Sequence, residues 1–127
     1  MATVEMGAEN FEQLAKKEGI LLVDWWATWC GPCRAFAPVY EQSSNKYPDI
    51  TFGKIDTDAN QELSGAFGIQ SIPTLMAFRD GVLLFSQAGA LPAAALDQLI
   101  EKIKELDMNE VRQEIAKRQQ QGESPQE

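Results

Sequence analysis

Eight consecutive residues, Ile20 to Ala27, are apolar with one exception, and soon after their end the chain reads Cys30-Gly31-Pro32-Cys33. An apolar run of this kind suits a strand buried on both faces, in the middle of a sheet. Cys33 opens a stretch reaching to about Tyr47 in which Phe36, Val39 and Tyr40 recur at helical spacing. The first thiol therefore falls where a strand gives way to a helix N-terminus. Unpaired N–H groups and the positive end of the helix dipole favour an anion there, and a thiolate is one. The exception inside the strand is Asp24. A carboxylate in a central strand is costly to bury unless something pairs with it or uses it.

The rest of the chain alternates around this junction. Residues 1–6 suit a short edge strand. Between Ala8 and Lys17, Phe11, Leu14 and Ala15 mark one helical face, with Gly19 as its stop. Pro38 lies inside the helix that follows the cysteines and predicts a kink. After Pro48-Asp49, Ile50 to Asp56 resumes as a strand. Asp58-Ala59-Asn60-Gln61 has capping-box form, so a short helix is expected from Ala59 to about Phe67, ending near Gly68. Thr74–Phe78 and Val82–Ser86 flank Arg79-Asp80-Gly81, and the Asp-Gly pair predicts an antiparallel hairpin. Pro92 suits the first turn of a helix lined by Leu96, Leu99, Ile100, Ile103 and Leu106. The order β-α-β-α-β-α-β-β-α implies an α/β fold, a central mixed sheet flanked by helices on both faces. Residues 1–106 are expected to form the domain. Residues 107–127 contain no aromatic residue and read as a polar extension. There Asp107 caps a helix with a thin stripe of Met108, Val111 and Ile115, followed by disorder beyond about Gln120.

A net charge of −8 and a pI of about 4.5 speak against nucleic acid or anionic lipid as partners. No window approaches the roughly 18 apolar residues of a membrane helix. The segment MATVEMGAENFEQLAKK has no signal-peptide core, and two cysteines make no disulfide framework. These features together point to a reducing cytoplasm.

VDWWATWCGPC, Lys54-Ile55-Asp56, Ser71-Ile72-Pro73-Thr74, Asp80-Gly81 and Gly89-Ala90-Leu91 occur in an order and spacing similar to those of thioredoxins. Over roughly residues 3–106 the chain resembles that family. Trp25 replaces the usual Phe, Ala88 a larger aliphatic, and residues 107–127 lie beyond the resemblance. What the resemblance implies is a thioredoxin fold with Pro73 in the cis form beside the cysteines. The activity it implies is that of a thiol–disulfide oxidoreductase working as a protein disulfide reductase. Cys30 is then the nucleophile, nearer the helix end and solvent, and Cys33 the resolving thiol. On spacing, the alternatives are a static disulfide or a zinc site. Zinc would need two further ligands, and the chain has no third cysteine and no histidine.

In this scheme Asp24 accepts the proton of Cys33, burial raises its pKa, and Lys54 tunes it. The alternative for Asp24 is a carboxylate–lysine pair serving structure alone. CGPC and Ile72 before the proline accompany reductases in this family. Trp29, Gly31, Pro32, Ile72, Pro73, Gly89 and Ala90 are expected to form an apolar substrate groove, Trp25 and Trp26 to serve the core, and Arg34 to favour the thiolate. The resemblance also implies electrons from NADPH through a thioredoxin reductase, with no bound cofactor and no metal. Expected partners are that reductase and disulfide-containing proteins, with no nucleic acid, no membrane, and a monomer as the default state. A second reading keeps the fold as a binding or chaperone module that docks a dedicated partner through residues 107–127.

Overall fold

The computed structural model describes residues 2–120, so the disorder expected beyond Gln120 falls outside the described residues. The strands are β1 (Thr3–Glu5), β2 (Ile20–Trp26), β3 (Thr51–Asp56), β4 (Thr74–Arg79) and β5 (Val82–Ala88). The helices are α1 (Phe11–Lys16), α2 (Gly31–Lys46), α3 (Gln61–Ala66), α4 (Ala93–Glu105) and α5 (Met108–Gln120). They build one five-stranded sheet in the order β1-β3-β2-β4-β5. β3 runs parallel to both β1 and β2, whereas β4 is antiparallel to β2 and to β5.

β2 occupies the centre because its side chains are apolar on both faces. Leu22 joins Phe52, Leu75 and Ala77 against Phe36 and Tyr40 of α2 and Leu96, Ile100 and Ile103 of α4. Leu21, Val23 and Trp25 join Ile55, Met76 and Phe78 on the opposite face, against Phe11 of α1 and Leu63 of α3. Each such side chain, fully buried, contributes about 1.5–3 kcal/mol. By strand alternation Asp24 shares the face of Leu22, and the register sets it directly beside Lys54 of β3.

Several boundaries differ from the pattern in the sequence. α1 begins at Phe11 rather than Ala8, because Asn10 Oδ1 accepts the Gly7 N–H at 2.8 Å and closes a turn first. α2 begins at Gly31 with Cys30 as its N-cap and runs unbroken through Pro38. α3 begins at Gln61, not Ala59. The expected capping box does not form: Asp56 Oδ1 takes the Asp58 N–H at 2.9 Å, and the Asp58 carboxylate is engaged elsewhere. Pro92 is the N-cap of α4 rather than part of its first turn.

Two glycines serve particular needs. Gly19 adopts φ +97° and exchanges two hydrogen bonds with Asp80, its N–H reaching Oδ1 at 2.8 Å. Gly53 leaves no room for a side chain, since a Cβ there would run into the Met6 thioether. No described helix is long and apolar enough to cross a membrane.

Candidate active site

Cys30 and Cys33 are joined as a disulfide, their Cα atoms 5.2 Å apart on the first turn of α2. The Cys33 N–H donates to Cys30 Sγ at 3.1 Å. This is one of the helix's unpaired N-terminal donors, aimed at the first sulfur and not the second. Sequence reasoning set Cys30 nearer to solvent than Cys33. The structure buries both, at 4% and 3% exposure, because Ala27, Trp26 and Ile72 pack around them. The Ile72 carbonyl oxygen lies 3.7 Å from Cys30 Sγ.

Ile72–Pro73 is a cis peptide bond, which turns the chain sharply just before β4. The Pro73 carbonyl accepts the Gly89 N–H at 2.8 Å, so the ends of β4 and β5 meet beside the cysteines. Neither backbone group of Ile72 has a backbone partner among the described residues. Around this point Gly31, Pro32, Gly89 and Ala90 are exposed, Ile72 is half-buried and Pro73 buried. Trp29 is the most exposed large apolar side chain of the site, at 67%. Its Nε1–H donates to Asp58 Oδ2 at 2.8 Å, which fixes the indole against the α3 side of the site.

Asp24, two residues before the end of β2, is buried at 1% exposure, and its Oδ1 has no hydrogen-bond partner among the described residues. Loss of hydration raises its pKa from the ordinary 3.8 to about 7, with the charge of Lys54 acting in the opposite direction. Among the described residues no ion pair joins the two side chains. The Lys54 ammonium instead lies 5.0 Å from the centre of the Trp26 ring. A small cavity of about 100 Å³ runs between Lys54, Trp26 and Cys33 and is bordered by Arg34. It is large enough for water. Tyr40, wholly buried nearby, donates from its hydroxyl to the Gly53 carbonyl at 2.7 Å and is held in its neutral form by burial and by Asp24.

The residues singled out in the sequence thus fall into two groups. Cys30 and Cys33 pack against Ile72, which precedes Pro73, and Asp24 and Lys54 are register partners on β2 and β3. Arg34 does not face the sulfurs: its Nη1 donates to the Thr28 carbonyl at 2.8 Å. Trp26, assigned to the core, packs against the disulfide. Asp58 had no place among the candidates, since its sequence context reads as a helix cap. No group of three or more His, Cys, Asp or Glu side chains suited to a metal occurs among the described residues.

The thioredoxin family model matches residues 2–102. A Streptomyces coelicolor protein named as a thioredoxin 2 is 51% identical over 121 residues, covering 95% of this chain and 90% of that protein. That match leaves about six residues of 127 aside and so runs through α5. Bacillus subtilis thioredoxin is 41% identical over 103 residues, covering 80% of this chain and 98% of that protein. Among solved structures, a mutant thioredoxin from Halobacterium salinarum superposes with a TM-score of 0.76 at 33% identity, over 83% of this chain and 93% of that one.

Proposed function

Because the chain belongs to the thioredoxin family, and is therefore a thiol–disulfide oxidoreductase of the protein disulfide reductase type, we propose that Cys30 is its nucleophile and Cys33 its resolving thiol. The observation that carries this division is the Cys33 N–H on Cys30 Sγ: negative charge on that sulfur already has a donor at a helix N-terminus. The Cys30 thiolate attacks one sulfur of a substrate disulfide, forming a mixed disulfide and releasing a substrate thiolate that takes up a proton. Cys33 then gives its proton to Asp24 through water. Its thiolate attacks Cys30 Sγ, closing the Cys30–Cys33 disulfide and expelling the second substrate thiol. Two electrons have passed to the substrate.

In this family NADPH returns the electrons through a thioredoxin reductase, so no cofactor resides on the chain. Lys54 moderates the Asp24 pKa by its charge. The free backbone groups of Ile72 pair with an extended substrate segment. Trp29, Gly31, Pro32, Pro73, Gly89 and Ala90 supply the walls of the groove. A monomer working in the cytoplasm, on disulfide-bearing proteins, fits the reading best. A binding module without redox work gains no support from a cysteine pair held in this way.

The test is NADPH-coupled reduction of a disulfide protein by the reductase of the same organism. Cys30→Ser abolishes turnover, and Cys33→Ser accumulates a covalent adduct with substrate, visible on a non-reducing gel. Multiple turnover by Cys33→Ser without adduct would reverse the assigned roles.

A further inference from the structure

The structure sets α5 beside an edge of the sheet. Among the described residues β5 pairs with β4 alone, so the backbone groups along its outer side face no described strand. Its first four residues, Val82-Leu83-Leu84-Phe85, are apolar and half-buried, and no charge occurs from Val82 to Ala88. An uncharged, apolar edge of this length invites another strand to add to it. The opposite edge, β1, is only three residues long and ends in Glu5.

Three contacts fix the corner from which α5 starts. Arg79, the last residue of β4, directs Nη1 at carbonyls around the end of α4: Ile103 at 2.8 Å, Leu106 at 3.0 Å and Lys104 at 3.4 Å. Asp107 then accepts the Asn109 and Glu110 N–H groups at 3.0 and 3.4 Å, starting α5 with Leu106 and Asp107 alone between it and α4. Met108 is buried, at 6% exposure. From this corner Val111, Ile115 and Arg118 of α5 face Val82, Leu83 and Leu84 across a groove of about 490 Å³. A strand joining β5 would lie about 4.8 Å from it. That is the space α5 borders.

We propose that α5, starting from the corner that Arg79 holds, guards the β5 edge and keeps two copies of this chain from pairing strand to strand. The apolar stripe of α5, with Val111 and Ile115 half-buried, is then one wall of a groove whose other wall is the edge. Its apolar residues serve the edge they stand beside.

Sedimentation velocity over a range of concentrations tests this on full-length chains. Val111→Asp combined with Ile115→Asp loosens the guard, and Arg79→Gln unlatches it. Both variants are expected to shift toward dimers and larger species at concentrations where the parent does not. A chain ending at Leu106 is expected to shift further. Adding Val82→Lys, a charge on the edge itself, is expected to reverse the association in each case. Turnover of the cysteine pair, measured alongside, shows that a variant is folded; should the shortened chain lose it, the full-length variants decide. The proposal fails if the variants sediment as the parent does, or if they associate and Val82→Lys leaves the association intact. A parent chain that already pairs through β5 would overturn it as well.

Discussion

At the scale of single residues, two carboxylates carry opposite duties. Folded Asp24 holds its proton up to about pH 7, while an ordinary aspartate releases it near 3.8. Between those values the folded chain binds more protons than the unfolded one, so this residue makes stability fall as pH rises through that window. At about 1.4 kcal/mol per pH unit, the loss above pH 7 is on the order of 4 kcal/mol. Asp24→Asn should restore that amount at pH 8 and change little below pH 4, as measured by urea unfolding at several pH values. The same variant should slow substrate release from the mixed disulfide by roughly 100-fold or more and flatten its rise through pH 7. Asp58 acts by holding Trp29. Asp58→Ala should free the indole, altering its fluorescence and raising KM a few-fold, while kcat and the reactivity of the Cys30 thiol stay as they are. Asp24 was legible in the sequence as the one charge in an apolar run. Asp58 was not, because its bond to Trp29 joins positions 29 apart and local pattern suggested a nearer partner.

At the scale of elements, strands were easier to foresee than helix starts. An apolar alternation or run survives in any context that buries it, whereas a helix N-terminus depends on which donor meets which acceptor. Thus β2 to β5 lie where their patterns put them, while α1 and α3 start late because Asn10 and Asp56 close turns ahead of them. The burial of Cys30 was not legible for a similar reason. A helix N-terminus is open in isolation, and here Trp26 and Ile72, from separate elements, close over it. The β1–β3 junction offers a sharp check on packing. Gly53→Ala drives a methyl group into Met6, which is 2% exposed, so it should destabilise the fold by about 1–3 kcal/mol. Shortening Met6 to Ala in the same chain should recover part of that loss. A double-mutant cycle by chemical denaturation reads the coupling.

For the molecule as a whole, the redox state and the fold are linked. Cys30 and Cys33 stand three positions apart, so their disulfide closes a very short loop. Such a crosslink restrains the unfolded chain by only about 2 kcal/mol in the chain-entropy account. The reduced protein should therefore unfold at a modestly lower denaturant concentration than the oxidised one, with the two curves otherwise parallel. A reduced form that loses cooperativity would contradict a sheet held by its apolar faces alone. The corner from which α5 starts belongs to this scale too, since it is held by bonds from Arg79 to residues 24 to 27 places later.

The order of the elements along the chain also sets a clock. β5 is complete at Ala88, but its neighbour α5 is not complete until Gln120, 32 residues later. At roughly 5–20 residues per second, synthesis leaves that apolar edge without its helix for about 2–6 s. During those seconds neighbouring nascent chains on one messenger are at their most adhesive, and the interval lengthens wherever translation slows between the codons for β5 and α5.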